Sequence, residues 1–425
     1  MNGFTSSRIA AWVLISCGWA SAVAGDEPRW TRLIRGDALD GWVQRGGEAQ
    51  YQVEDGQIVG RSVPNAPNSF LCTEQVFGDF ELELEVKVDP RLNSGIQIRS
   101  NSVPGYLKGI VHGYQVEIDP SERAWSGGIY EEGRRCWLQT LEDNEAARKA
   151  FRQNAWNHYR IVAVGDSIKT WINGVPAADL KDDLTRAGFI ALQVHGTTET
   201  EPMEVRWRHL RVKDLGIPGR KPPPGATLLL DESGDLTSWE HAGKPGAEVR
   251  WRFRDGALGV EPGTGSIITK RRYGDCRLHV EFRVDDNGKQ GQDNGNSGVY
   301  LQQRYEVQIL NSAGQKPAKN ICGAIYGVKA ADYNMALPAD VWQTYDITFH
   351  APRWDAAGQK QTNARITVYH NDTRIHDNVE VPQHTGAGQP EGPGPAPLLL
   401  QDHGNRVCFR NIWIMSLSSS REPKK

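Results

Sequence analysis

Phe80-Glu81-Leu82-Glu83-Leu84-Glu85-Val86-Lys87-Val88 changes from apolar to charged at each step, the period of a strand with one face on a core and the other toward water. Two further segments follow it: Asn93-Ser94-Gly95-Ile96-Gln97-Ile98-Arg99, and Gly113-Tyr114-Gln115-Val116-Glu117-Ile118-Asp119. Later in the chain the series returns. Its second copy is Cys276-Arg277-Leu278-His279-Val280-Glu281-Phe282-Arg283-Val284, then Asn296-Ser297-Gly298-Val299-Tyr300-Leu301-Gln302, then Arg304-Tyr305-Glu306-Val307-Gln308-Ile309. The chain therefore reads as one β-rich module built twice, with polar site candidates at equivalent strand positions.

Outward from these segments the two copies keep the same order of turns. Tyr51 to Gly60 and Trp251 to Val260 each place Asp-Gly between two short alternating runs, a strong hairpin signal. Phe77-Gly78-Asp79 and Tyr273-Gly274-Asp275 turn the corner into the long strand. Trp156 to Val164 and Ser167 to Val175 predict a strand pair ending in an Asn-Gly turn, matched by Trp342 to Phe349 and Ala364 to Asn371. A polar excursion from Leu138 to Ala155 predicts a short helix outside the sheets, and Pro352 to Thr362 predicts a surface loop. Gly188 to Gly196 with Glu204 to Val212, and Pro397 to Gly404 with Val407 to Ile414, close the modules. Four prolines between Gly216 and Gly225 make a stiff connection. The expected organisation is all-β: a first sandwich at 30–216, a linker at 217–225, a second sandwich at 226–417 and a polar tail at 418–425.

The 425 residues exceed one ordinary core and suit two modules of about 190 each. A formal charge of -3 supplies no basic field for nucleic acid. The fourteen Trp read as core and sheet-face packing, with carbohydrate stacking as the alternative. Arg8, an apolar run from Ile9 to Ala20, and Ala22-Val23-Ala24 before Gly25 predict an export signal over residues 1–24, and hence a periplasmic or secreted protein. Leu14-Ile15-Ser16-Cys17 also has the form of a lipoprotein signal, which would anchor the chain through Cys17. No segment is apolar for long enough to predict a stable membrane span. The other cysteines, Cys72, Cys136, Cys276, Cys322 and Cys408, lack metal-type spacing and read mainly as small buried hydrophobes.

Strand parity selects the candidate site. Gln97 and Arg99 fall on one face opposite Ile96 and Ile98; Gln115, Glu117 and Asp119 share a face opposite Val116 and Ile118; Gln193 and His195 fall together opposite Leu192 and Val194. Polar residues facing one way over aliphatic ones are the expected form of a groove above a sandwich core.

These segments, with Ser126-Gly127-Gly128-Ile129-Tyr130-Glu131 and Asn173-Gly174-Val175-Pro176-Ala177, resemble the 3-keto-disaccharide hydrolase family, which is similar to concanavalin A-like, laminin-G-like jelly rolls. The resemblance covers Leu33 to Leu215 and extends to the second copy through its Asn-Ser-Gly, Tyr-Glu-Val-Gln-Ile, Gly-Ala-Ile-Tyr-Gly and Leu-Gln-Asp-His-Gly segments. It implies two tandem jelly-roll sandwiches and an enzyme acting on glycosides whose C3 hydroxyl an upstream sugar 3-dehydrogenase has oxidised to a ketone. Such chemistry needs a base at C2, a donor or cation at the C3 oxygen and an acid for the departing oxygen.

On this reading Glu117 is the first-choice base, with His195 or Asp119 as alternatives, and Arg99 stabilises the enolate. Gln97, Gln115 and Gln193 hold hydroxyls, and Tyr130 or Trp171 forms a wall. The second copy offers Gln302, Glu306, Gln308, Tyr326, Gln401 and His403, so its carboxylate is displaced by two residues. A divalent ion on Glu117, Asp119 and His195 would polarise the same ketone. Asp293, Asn294 and Asn296 read as a solvated loop, with structural calcium as the alternative. A non-catalytic carbohydrate-binding protein and a two-carboxylate glycoside hydrolase are the competing readings.

Overall fold

The computed structural model describes residues 29–217 and 220–417; the expected leader at 1–24, Cys17 and the tail at 418–425 lie outside the described residues. Alternation in Asp79–Val88 has the consequence its period demands. Phe80, Leu82, Leu84, Val86 and Val88 are all buried, while Glu81, Glu83 and Glu85 on the other face accept from Arg160, Arg211 and Arg208.

Module one is a sandwich of two antiparallel sheets. In the back sheet the order is Val175–Lys181, Ser167–Ile172, Asn157–Val164, Asp79–Val88, Glu204–Gly216, Gln57–Arg61, Gln50–Glu54, with Trp30–Arg32 beside Glu204–Gly216. In the front sheet it is Cys136–Gln139, Ile129–Glu132, His112–Ile118, Ser94–Asn101, Gly188–Val194, Ser69–Phe77, Trp42–Gly46. Between them lies one continuous apolar core. Both Asp-Gly hairpins are two-residue turns in the left-handed region, at φ 49° and 71° for Asp55 and Gly56 and 51° and 73° for Asp255 and Gly256. That backbone suits the twist of the strands it joins.

Module two repeats the back sheet strand for strand: Thr373–Val381, Ala364–His370, Gln343–His350, Cys276–Val284, Val407–Ser416, Ala257–Gly259, Arg252–Arg254. Its front sheet keeps five strands, Trp239–His241, Ile267–Tyr273, Ala396–Leu400, Ser297–Leu301 and Tyr305–Ile309. Where module one continues with two edge strands, module two runs irregularly through Ile325 and Tyr326. Packing is conserved by exchange of bulk. Tyr51 stacks on Trp207 with ring centroids 6.4 Å apart in one module, and Trp251 stacks on Phe409 at 5.9 Å in the other.

The excursion after Leu138 holds a single helical turn, Glu145–Arg148, capped by Asn144, and the Pro352 to Thr362 segment forms a small hairpin of Arg353–Trp354 with Lys360–Thr362. All five cysteines of the described residues are free thiols, three of them buried.

The proline-rich linker is not the only connection between modules. The short Asp182 to Ala187 segment of module one docks on the back sheet of module two. There Arg186 lies 3.7 Å from the centre of the Tyr369 ring, 2.8 Å from an Asp346 oxygen and 4.0 Å from Asp372. Main-chain bonds from Arg186 to Asp372 and from Arg374 to Leu184 flank it. Tyr106 meets Tyr333 edge-on nearby, with centroids 5.5 Å apart. Among the described residues no helix is long and apolar enough to cross a membrane.

Candidate active site

Glu117 is the centre of the outer face of the module one front sheet. It lies on His112–Ile118 directly opposite Gly95, and only 4 % of it is exposed. The Asn93 amide donates to Oε1 at 2.7 Å and the Gln115 amide donates to Oε2 at 2.8 Å. An ionised carboxylate can only accept, so Gln115 must turn its NH2 toward Glu117 and its oxygen away. That oxygen accepts from Gln97 at 2.6 Å, and the Gln97 oxygen accepts in turn from the Ser100 hydroxyl at 2.7 Å. Every donor in the chain thus points toward Glu117. Gly95 makes this possible, since a Cβ there would stand 2.4 Å from Gln115 Cδ.

Burial raises the Glu117 carboxyl above its ordinary range, and the two amide donors pull it part of the way back. Arg123 brings a guanidinium nitrogen to 3.8 Å from Oε1 and lies 4.9 Å from the ring centres of both Trp125 and Trp137. Tyr130 meets Trp137 edge-on at 5.4 Å and hydrogen bonds to Cys136, which together with burial pushes its hydroxyl up to about 12. Glu132, from the same edge strand, is also raised by burial; its neighbours include Glu117, His195 and Asn68, whose amide donates to it at 3.4 Å. The His195 ring contacts the carbonyl of Gly196 through Nδ1 at 2.7 Å. Gln193, in the same row as Gly95 and Glu117, is fully buried with neither amide atom partnered.

Three expected members stand elsewhere. Arg99 is at φ 46°, where the strand register shifts between Ile98 and Asn101, and this bulge turns its side chain off the sheet face. Fully buried, it donates to the carbonyls of Gly78 and Gly165 and pairs with Asp79 at 2.9 Å, clamping the corner before the long strand. Asp119 lies just past the strand end and organises the following loop. Burial favours its neutral form, but bonds from Ser121, Arg123 and the Trp125 amide outweigh this and hold it below the usual carboxylate range. Trp171 belongs to the back sheet, under Arg160. With the Asp119 oxygens so engaged, Glu117, Asp119 and His195 do not fit a metal ion, and no three His, Cys, Asp or Glu side chains of the described residues group to hold one.

Arg123, Trp125, Trp137, Glu132, Asn68 and Asn93 complete the site. Of these only Asn93 left a sequence signal, the Asn-Ser-Gly repeated at Asn296. The rest lie on loops or a short edge strand without long periodic pattern.

In module two Gln308 faces Gly298 as Glu117 faces Gly95, and Glu306 stands where Gln115 does. Burial pushes Glu306 up to about 7 against a hydrogen bond from Tyr300. A Cβ on Gly386 would be 2.9 Å from a Glu306 oxygen and 3.1 Å from Tyr326, so this loop covers the carboxylate. Gln302, at φ 56°, donates to the Tyr273 carbonyl and so clamps its corner as Arg99 does. His403 is exposed, and Gln401 donates to the Tyr300 hydroxyl at 3.2 Å. Asp293, Asn294 and Asn296 bond within their own loop, to Asn287, Asp286 and Gln292.

Residues 29–213 and 225–415 each match the family described as the 3-keto-alpha-glucoside-1,2-lyase-like domain. Among solved structures, the chain is similar to a candidate glycosyl hydrolase from Parabacteroides distasonis at 31% identity, over 46% of this chain and 85% of that one, with a TM-score of 0.42. A second from the same organism is 18% identical over 44% and 94%, with a TM-score of 0.33. A carbohydrate-binding module from Bacillus subtilis is 16% identical over 41% and 96%, with a TM-score of 0.31. No curated protein is significantly similar to the chain.

Proposed function

Because the chain belongs to the 3-keto-α-glucoside-1,2-lyase-like family, and is thereby a glycoside-processing enzyme, we propose that its first module cleaves 3-keto-glycosides with Glu117 as the base. The observation that carries this reading is a buried carboxylate, aimed by two amides, with one guanidinium beside it that itself lies against two indoles.

A ketone at C3 acidifies the proton on C2. Glu117 removes that proton, the electron pair passes to the C3 oxygen as an enolate, and Arg123 stabilises the charge. The enolate then re-forms its carbonyl as the C1–O bond breaks, leaving a double bond between C1 and C2. Glu132 protonates the departing oxygen, and water adding across the double bond releases the free 3-keto sugar. Two nearby carboxyls can divide acid and base work when their surroundings separate them. Burial raises both carboxyls; Glu117 receives two short amide bonds that suit a carboxylate, whereas Glu132 receives one at 3.4 Å, so the base is assigned to Glu117 and the acid to Glu132. Trp125, Trp137 and Tyr130 offer the apolar faces on which a pyranose stacks. The substrate is supplied by a reaction that oxidises the C3 hydroxyl of a glycoside.

Incubation with a glucoside and with its 3-keto form, each also labelled with deuterium at C2, tests the reading. Expected are cleavage of the keto form alone, a primary isotope effect and loss of the label to solvent. Cleavage of the unoxidised glucoside with the C2 label retained would replace elimination by direct hydrolysis.

A further inference from the structure

The front sheet of module two holds amide oxygens that nothing in the protein satisfies. Gln308 and Asn296 are each 1 % exposed. Both give their NH2 groups to Gln292: Gln308 to Oε1 at 3.2 Å, Asn296 to the main-chain oxygen at 2.8 Å and to Oε1 at 3.2 Å. Gln292 thereby fixes the direction of both amides, and their carbonyl oxygens, Gln308 Oε1 and Asn296 Oδ1, are buried without a donor. Gln401, main-chain bonded to Gly298 in the same row, gives its NH2 to Tyr300, and its Oε1 is likewise unpartnered. A buried acceptor left unpaired destabilises the fold that holds it, so three in one patch call for a ligand that brings donors.

We propose that this face of module two is a second carbohydrate site that binds a neutral, unoxidised sugar residue through its hydroxyls. The acceptors are amides, which suit hydroxyl donors without selecting a charge. The tyrosines Tyr300 and Tyr326 supply rings beside them, and Gly386 lets the covering loop approach closely. In the row where module one places Glu117 with Arg123 beside it, module two places Gln308 among Gln292 and Asn296. No ketone is needed for recognition here. A chain with a catalytic face and a binding face would hold the unreacted part of a longer glycoside while its oxidised unit is cleaved.

Calorimetric titration of the full chain with maltose, cellobiose, trehalose and sucrose reads this site without depending on turnover, so it stands apart from the catalytic assignment. At least one disaccharide is expected to bind, binding is expected to survive Glu117→Gln, and Gln308→Met is expected to weaken it at least tenfold. Gln401→Leu, at a less buried position, is expected to weaken it as well, and cooperative thermal unfolding of each variant checks that the fold is intact. No binding by any of the four sugars, or binding lost in Glu117→Gln and kept in both module two variants, overturns the proposal.

Discussion

The two modules share a back sheet of the same strand order and a front sheet entered by the same Asn-Ser-Gly turn, yet their carboxylates stand in different rows. Glu117 faces Gly95, whereas Glu306 lies one row along, facing Tyr300. Two residues on a strand is a displacement of about 7 Å. The difference goes with the loops around each position. Module one leaves its strand end to Arg123, Trp125 and Asn93, which aim Glu117 and put a cation beside it. Module two has a long connection, Pro382 to Pro395, where module one has Asp182 to Ala187, and this connection folds over Glu306. The short connection reaches instead to the neighbouring module. One scaffold thus supports a carboxylate beside a cation in one copy and a capped carboxylate among amides in the other.

The strongest way to break this comparison is to write the pattern of module two into module one. Gln115→Glu with Glu117→Gln keeps the charge, the composition of the row pair and the Asn93 contact, but moves the carboxylate away from Arg123. Turnover of a 3-keto-glycoside is expected to fall about 10²–10⁴-fold, the usual contribution of a positioned base. Single-turnover kinetics on the purified variant checks it. A variant that retains full activity would mean that row position is irrelevant and that another group abstracts the proton.

The loop exchange predicts the next effect. Arg186 is 13 % exposed in its side chain and serves Asp346 and Asp372, whose side chains are 9 % and 5 % exposed. Without Arg186, Asp346 keeps His279 at 2.9 Å and Asp372 keeps Arg220 at 3.5 Å, so the cost is expected to stay at or below the roughly 3–5 kcal/mol of a buried ion pair that loses one partner. Arg186→Ala is therefore expected to lower the melting temperature of module two and to split a single calorimetric transition into two. A single unshifted transition would show that the Arg186 ion pairs contribute nothing to the coupling of the modules.

How much of this was legible depended on which residues obey a period. Gln97, Gln115, Glu117 and Gln193 were found because successive side chains on a strand alternate, and their strands are regular at those positions. Arg99 was counted by the same parity, but the bulge at its left-handed backbone interrupts the count, and Gln302 repeats the interruption in module two. A residue one step beyond a strand end, such as Asp119 after Ile118, follows its loop rather than the sheet. Trp171 failed differently, because periodicity says which face a residue takes and not which sheet its strand joins. Arg123 and Trp125 come from a loop and Glu132 and Trp137 from four-residue edge strands, so no window is long enough to mark them. The docking segment Asp183-Leu184-Thr185-Arg186 has the composition of an ordinary turn, and its partners come from another module altogether.

The smallest expected effect sharpens the contrast between the two carboxylates. Burial lifts Glu306 from about 4.5 in a free side chain to about 7. For a group whose pKa is higher in the folded state, the native form holds its proton more tightly. Its contribution to stability is then fully present below pH 4.5 and is lost as the pH rises through 7. The loss is on the order of 3 kcal/mol at most, since the rise spans about 2.5 pH units and one unit corresponds to about 1.4 kcal/mol. Glu306→Gln keeps the shape and removes the ionisation, so its melting temperature is expected to match the parent at pH 4.5 and to exceed it by a growing margin between pH 5 and pH 8. Melting curves at half-unit intervals measure the margin. A constant difference across that range would mean that Glu306 ionises as freely in its covered row as it does in water, and the capping loop would then not be what distinguishes the second face from the first.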